Sequence, residues 1–480
     1  MIVAELVIPE GLPVAGGWRS VGQTEPVVFP YDGTVIAHAP VGDIETALRA
    51  LDAAVECEDI AASMSSRLRH DLLMDARDRI RVQSGNLETL LVLETGKPRR
   101  DCRVEVQRAL LTLELAAQEA LRIHGETVPL DLLPSGDGML GFYQRVPIGV
   151  VVGIAGFNYP FLLAMHKIAP AVAAGCPIVC KPAPQTPLST LWLGAVMREA
   201  ATEVGAPLEL VQVVTGGVAV GETLTTDPRI GAVSFTGSAS VGHAIAKAAA
   251  PRKVLLELGS NAAMLVAADA DLQAAASAVV RGGFYASGQA CISVQRVIVE
   301  EPVYEELEAL VREKALQIVV GDPRDEATEV SALIDSGATM RVQGWIEAAI
   351  GNGARAIVGG TSTELGPTIL QNVSVADDLW KEEVFGPVVA MRSVPDFASA
   401  LAEANRSRYG LHASVWTRSL DNAMRAIRSL KVGGVVVNEV PGFRSDAMPY
   451  GGVKDSGNGR EGPRFAIEEL TVTKMAVIRP

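Results

Sequence analysis

Apolar and polar positions along the chain fall into three regimes. Short alternating runs at 14–18, 27–31 and 35–40 predict strands, and helical periodicity then extends from about Asp43 to Ile123, interrupted at Gly85 and at Gly96-Lys97-Pro98. Runs at 126–133 and 138–147 alternate around Pro134-Ser135-Gly136-Asp137, which predicts a hairpin projecting from its domain. From Gly149 onward strands and helices take turns. Apolar strands are expected at 150–155, 177–181, 209–214, 232–235 and 254–258, with helices such as 161–174 and 187–204 between them. That order describes an α/β fold with a parallel sheet covered by helices, as in dinucleotide-binding domains. A second α/β series follows from about 262 to 438, and 468–478 alternates as a closing strand.

Composition narrows the picture. A chain of 480 residues with 48% hydrophobic content is expected to form two or three structural units with large cores. A net charge of −14 argues against nucleic acid as a bulk partner. The start, Met1-Ile2-Val3-Ala4-Glu5-Leu6, lacks the basic and apolar regions of a signal peptide, and the apolar run 146–157 is too short to span a membrane. A soluble cytoplasmic protein with no membrane partner is the expectation. The five cysteines show no disulfide framework or metal-type pairing, and the six histidines lack ligand spacing, so no metal is expected. Cys176 and Cys180, four apart on a strand-like run, read as buried thiols.

Cys291 differs from the other four. It lies in Ser287-Gly288-Gln289-Ala290-Cys291-Ile292-Ser293, among small and polar residues that leave room for a substrate. A thiol there can attack a carbonyl carbon if its surroundings raise the thiolate fraction. Asn158, in Phe157-Asn158-Tyr159-Pro160 at a strand's carboxyl end, can donate to an oxyanion together with the Cys291 backbone N–H; on its own it reads as a turn residue. Lys181, at the end of the next strand, can reach a ribose or phosphate. Pro184 neither binds a ribose 2′-hydroxyl nor repels a 2′-phosphate, so NAD and NADP both stay open. In Phe235-Thr236-Gly237-Ser238, Gly237 permits close backbone approach and the following helix N-terminus favours pyrophosphate. Glu257, flanked by leucines, is costly to bury without a role; a raised pKa there suits a general base.

Taken in order, these runs resemble the aldehyde dehydrogenase superfamily over nearly the whole chain. The remaining motifs are Glu257-Leu258-Gly259, Gly288-Gln289-Ala290-Cys291, Glu382-Glu383-Val384-Phe385-Gly386-Pro387 and Pro449-Tyr450-Gly451-Gly452 followed by Ser456-Gly457. The resemblance implies a Rossmann-type cofactor domain at 1–123 and 147–257, a second α/β catalytic domain at 258–454, and oligomerisation segments at 124–146, a β hairpin, and 455–480. It implies oxidation of an aldehyde to a carboxylic acid with NAD or NADP through a Cys291 thiohemiacetal and a thioester that Glu257-activated water hydrolyses. Lys181 and Glu383 match positions that hold ribose hydroxyls. Phe157 and Phe385 belong to the cofactor-binding set with Thr236, Gly237 and Ser238, and Phe385 packs near the nicotinamide ribose. Glu461 resembles a carboxylate on the proton exit route.

The run from Phe443 to Pro449 resembles a branch that acts on small, often anionic aldehydes, such as succinic semialdehyde, lactaldehyde and, in its non-phosphorylating members, glyceraldehyde 3-phosphate. Arg108 and Arg444 would then clamp an anionic tail. The plain alternative for Arg108 is a helix-surface salt bridge with Glu105 or Glu114. Ala290, where some phosphonate-handling relatives carry arginine, counts against a phosphonate. Two alternatives stay open: transfer of the thioester to coenzyme A, which Glu257 disfavours, and a cysteine hydrolase without redox chemistry, for which no His motif offers the thiol a partner. A homodimer or homotetramer is expected, since an exposed strand edge needs pairing.

Overall fold

The computed structural model describes residues 1–360 and 365–480. Asp43 starts the first long helix, Ile44–Ser63, by accepting from the Thr46 N–H at 2.8 Å, and Ser65 caps Ser66–Val82 in the same way through Leu68. Helices Ser84–Thr95 and Arg99–Ala120 complete this group. The break expected at Gly85 falls at Gln83, leaving Gly85 in the first turn of its helix. Gly96 ends that helix at φ 70°, a left-handed cap that only glycine adopts without strain.

Five parallel strands follow: β1 (Val150–Ile154), β2 (Ile178–Lys181), β3 (Val211–Val213), β4 (Ile230–Thr236) and β5 (Lys253–Glu257). Their order is β3-β2-β1-β4-β5. Successive connections run outward from β1 in one direction and then restart beside it in the other. The reversal between β1 and β4 opens a crevice beyond the strands' carboxyl ends, where α/β sheets bind ligands. The strand expected at 209–214 is only three residues long, because Leu210 N–H closes a turn onto the Pro207 carbonyl.

The second sheet has seven strands: β6 (Ala263–Val266), β7 (Arg296–Glu300), β8 (Arg355–Val358), β9 (Thr368–Gln371), β10 (Val388–Val394), β11 (His412–Trp416) and β12 (Gly434–Val437). They lie in the order β8-β9-β10-β7-β6-β11-β12, with β8 antiparallel. Ala263 and Leu265 enter one apolar cluster and Met264 and Val266 another, so the sheet is packed on both faces as period-two alternation requires. A separate core gathers side chains between Val3 and Leu258, joined by Tyr409, Ile467 and Leu470.

The hairpin region is less regular than its pattern suggests. Its first arm pairs only over Thr127–Val128, while the second runs over Leu140–Pro147. Pro134–Gly136 forms a single 3-10 turn between them. The closing strand, Thr471–Ile478, pairs antiparallel with Leu140–Pro147 along all eight residues. Among the described residues, no helix is long and apolar enough to cross a membrane, and no group of three or more His, Cys, Asp or Glu side chains could hold a metal.

Candidate active site

The crevice at the β1/β4 reversal receives residues from both sheets. Gly156 to Asn158 follow β1 and lead into the helix Pro160–Ala174; Gly237 and Ser238 follow β4 and lead into Ala239–Ala249. Across from them, Cys291 arrives on a strained loop. Ala286, Ser287 and Gly288 take φ of 50°, 55° and 73° in succession, and two of these are not glycine. Surrounding groups hold that conformation. Asp101 Oδ2 accepts from the Ala286 N–H at 2.9 Å, Ser287 Oγ from Ser331 N–H and Gln289 Oε1 from Ile334 N–H, each also at 2.9 Å. A Cβ on Gly288 would sit 2.1 Å from the Gly386 carbonyl oxygen.

The resulting cavity, about 250 Å³, is lined by Cys291, Asn158 and Glu257 together with Arg108, Arg444 and Glu461. Phe157, Thr236, Gly237, Ser238, Glu383 and Phe385 line it too. Lys181 and Pro184 lie outside it: Pro184 is exposed beside a separate small recess, and Lys181 stands at the end of β2 near Gly221.

Glu257 ends β5 with both carboxyl oxygens buried and without a hydrogen-bond partner. Burial, reinforced by the charge of Glu461, holds its pKa well above the carboxylate range against the pull of Arg444 and Lys167. Burial also pushes the Cys291 thiol up to about 12, while a hydrogen bond with Tyr450 and the Arg444 charge pull it down. Asn158 Nδ2 donates to the Gln289 carbonyl at 2.8 Å. This bond uses one of two amide hydrogens and fixes the side chain beside the cysteine loop.

Behind these groups lies a charged network. Glu461 Oε2 is 2.9 Å from Arg444 Nη1 and 3.1 Å from His166 Nδ1, and Lys167 Nζ lies 3.8 Å from Oε1. Burial alone would raise the Glu461 pKa; these three neighbours instead hold it well below the ordinary value. Arg108 corrects its plain alternative. It does pair with a carboxylate, through two bonds of 3.0 and 2.7 Å, but the partner is Asp446, distant in sequence. Glu105 instead binds Lys97 and accepts from the N–H groups of Phe161 and Leu162 at a helix start, and Glu114 faces Arg77. Arg444 likewise is not free, since Asp446 and Glu461 both lie against it.

The cofactor residues fit a dinucleotide. Lys181 Nζ is buried with one long contact, to the Pro182 carbonyl at 3.4 Å, and burial lowers its pKa to about 8. Such a cation lacks a partner that a ribose or phosphate oxygen would supply. Glu383 accepts from Ser260 N–H at 2.8 Å, and desolvation raises it to about 7. Gly237 precedes the N-terminus of an 11-residue helix, which favours an anionic phosphate. Phe157 and Phe385 meet edge to face, centroids 5.6 Å apart.

Five side chains whose roles were not read from the sequence enter the site. His166 and Lys167 are adjacent polar residues inside an otherwise apolar helix, a costly pair to bury and the one local signal for them. Lys167 Nζ donates to Thr236 Oγ1 at 2.7 Å. Asp101 reaches the site by tertiary folding alone, whereas Asp446 and the Tyr450 hydroxyl, 3.2 Å from Cys291 Sγ, lie in the quoted runs 443–449 and 449–452, which gave their place but not these roles.

Comparison with known proteins agrees with this geometry. The family model described as "Aldehyde dehydrogenase family" matches residues 18–476. A 3-sulfolactaldehyde dehydrogenase of Priestia aryabhattai is 39% identical over 471 residues, covering 98% of each chain. Aldehyde dehydrogenase 21 of Physcomitrella patens, solved in complex with the reaction product succinate, superposes with a TM-score of 0.94 at 34% identity, covering 98% of each chain. Glyceraldehyde-3-phosphate dehydrogenase GapN of Methanocaldococcus jannaschii, complexed with NADP, gives 0.92 at 34% identity, covering 96% of this chain and all of the other.

Proposed function

The chain belongs to the aldehyde dehydrogenase family, and from that premise we propose that it oxidises a short aldehyde with an anionic terminus to the carboxylate. The carrying observation is one cavity that presents the Cys291 sulfur and the unpartnered Glu257 carboxyl together, with two arginines in its wall. NAD or NADP supplies the two-electron acceptor when bound, held by Lys181 and Glu383 and by the Gly237 turn.

The chain's own residues divide the remaining work. Cys291 Sγ attacks the aldehyde carbon and forms a thiohemiacetal. The second Asn158 amide hydrogen and the Cys291 backbone N–H stabilise the oxygen as charge develops on it. Once the carbon is oxidised to a thioester, Glu257 takes a proton from the attacking water, and a raised pKa makes it a competent base near neutral pH. Glu461, held ionised by Arg444 and His166, offers that proton an exit. Hydrolysis is favoured over transfer to coenzyme A because Glu257 occupies the base position.

Support for an anionic tail comes from what the arginines have left. Arg108 uses Nε and Nη2 on Asp446, which leaves its Nη1 for a substrate anion, whereas Arg444 Nε faces Asp446 Oδ1 at 3.4 Å and its Nη1 binds Glu461. Arg108 and Arg444 line the cavity together with Glu257, Glu383 and Glu461, and Lys167 and Asp446 stand behind them. The relatives named for 3-sulfolactaldehyde, succinate and glyceraldehyde 3-phosphate carry anionic substrates or products. The same reading extends to assembly as a homodimer or homotetramer through the three-stranded sheet.

The test is a panel of small aldehydes with NAD+ and with NADP+, for the wild type and Arg108→Gln. Succinic semialdehyde and sulfolactaldehyde are expected to lose about 10- to 100-fold in kcat/KM, the worth of a hydrogen bond to a charged group. Propanal should change about 2-fold or less. Equal losses for both classes would remove the anionic tail from the proposal.

A further inference from the structure

We propose that Tyr450 is a catalytic residue of this site: its phenol donates the hydrogen bond that favours the Cys291 sulfur as a thiolate. The inference rests on Cys291 being the nucleophile and adds a second group touching the reacting atom.

The hydroxyl lies 3.2 Å from Cys291 Sγ, its sole hydrogen-bond partner among the described residues. The ring is fixed from three sides. His412 stands with its centroid 4.9 Å away, and the Arg444 guanidinium lies 3.9 Å from the ring centroid. The backbone forms a bridge with Glu461, Tyr450 N–H donating to the Glu461 carbonyl at 3.1 Å and Glu461 N–H returning a bond of 2.6 Å. His412 cannot serve as the thiol's base in this arrangement, because its Nδ1 is bonded to the Pro441 carbonyl and burial lowers its pKa to about 4.

The direction of the bond follows from protonation. With a neutral thiol either partner can donate. Once the sulfur has lost its proton only the phenol can, and a charge-assisted bond is roughly twice as strong as a neutral one. The contact therefore favours the thiolate over the thiol. Arg444 strengthens it: a cation over the ring face draws electron density from the phenol and makes the O–H a better donor. Burial holds the phenol's own pKa well above its ordinary value, so Tyr450 keeps its proton. The thiol proton leaves through the open cavity to solvent, and no other bond changes. Burial opposes ionisation of the sulfur first, then the Glu383 and Glu257 carboxyls, while the Arg444 charge favours it.

The experiment follows alkylation by iodoacetamide at pH 7 to 9 on the full-length protein, without cofactor or aldehyde. The sulfur displaces iodide and forms a thioether. Cys57, Cys102, Cys176 and Cys180 are buried, so the labelled peptide should contain Cys291. Wild type is compared with Tyr450→Phe and with 3-fluorotyrosine at position 450, whose phenol is a stronger donor. Losing the donor should cut the thiolate fraction about 10-fold while making each thiolate about 3-fold more reactive, so Tyr450→Phe reacts about 3-fold more slowly. The fluorinated protein should react faster than wild type. A purely structural role would slow both replacements alike, and any order other than Phe below Tyr below 3-fluorotyrosine overturns the proposal. If Tyr450→Phe does not fold, a fluorinated protein no faster than wild type overturns it. Retention of aldehyde oxidation after complete alkylation would instead sink the reading of Cys291 as nucleophile.

Discussion

Glu257 has two demands on it, and they conflict. As a base it must lose a proton, yet its buried and unpartnered oxygens favour keeping it. Its folded-state pKa is raised, so the stability it contributes is fully present below the unfolded value, near 4.5, and is lost as pH rises toward the folded value. Glu257→Gln, which cannot ionise, should therefore match wild type in Tm near pH 4.5 and exceed it at pH 8, by on the order of 1–3 °C. Calorimetry at the two pH values checks this, and a difference of the same size at both would contradict it. The variant should also lose thioester hydrolysis. Cys291, Glu257 and Asn158 are legible in sequence because each is locally out of place: a thiol among small residues, a carboxylate between leucines, an amide at a strand end. Arg108 is not, because its partner Asp446 comes 338 residues later and the nearer Glu105 and Glu114 offered themselves first.

At the scale of elements, the loop before Cys291 stores strain that neighbouring side chains restrain. Asp101, on the Arg99–Ala120 helix, anchors its first left-handed residue through Ala286. Removing that acceptor in Asp101→Ala should let the loop relax and lower kcat about 10-fold, as small displacements of a reacting group do. Asp101→Asn keeps an acceptor and should recover most of the rate. Faster hydrogen exchange at 285–290 in the alanine variant alone would accompany the loss; unchanged kcat would show that the loop holds itself. The parallel strands were predictable from short apolar runs, but their limits were not. β3 loses residues to a turn at Pro207, and the first hairpin arm pairs over two residues where eight alternate. Alternation marks which side chains share a face, and hydrogen-bond partners decide where a strand ends.

For the whole molecule, strand order matters more than strand content. The reversal beside β1 that creates the crevice is a property of topology, and no run of residues states it. The alternating strand–helix series made a dinucleotide-binding sheet the natural expectation, and family motifs then suggested cofactor residues at its strand ends and, at Glu383 and Phe385, beside the second sheet. The outer strand Thr471–Ile478 leaves Val472, Val477 and Ile478 exposed along an open edge. Unpaired apolar edges call for cover. A Val472→Asp, Val477→Asp double variant should shift the mass measured by light scattering toward the monomer. An unchanged mass would remove this edge from the proposed assembly.

The contact between Tyr450 and Cys291 joins residues 159 positions apart. At ordinary rates of translation the cysteine is made roughly 8 to 30 seconds before the tyrosine. Glu461 comes later still. During synthesis the sulfur thus exists for a time without its hydrogen-bond donor and without the part of the wall that Glu383, Phe385, Arg444 and Glu461 supply. An unfinished chain carries an ordinary thiol until Tyr450, the donor proposed for it, has been made.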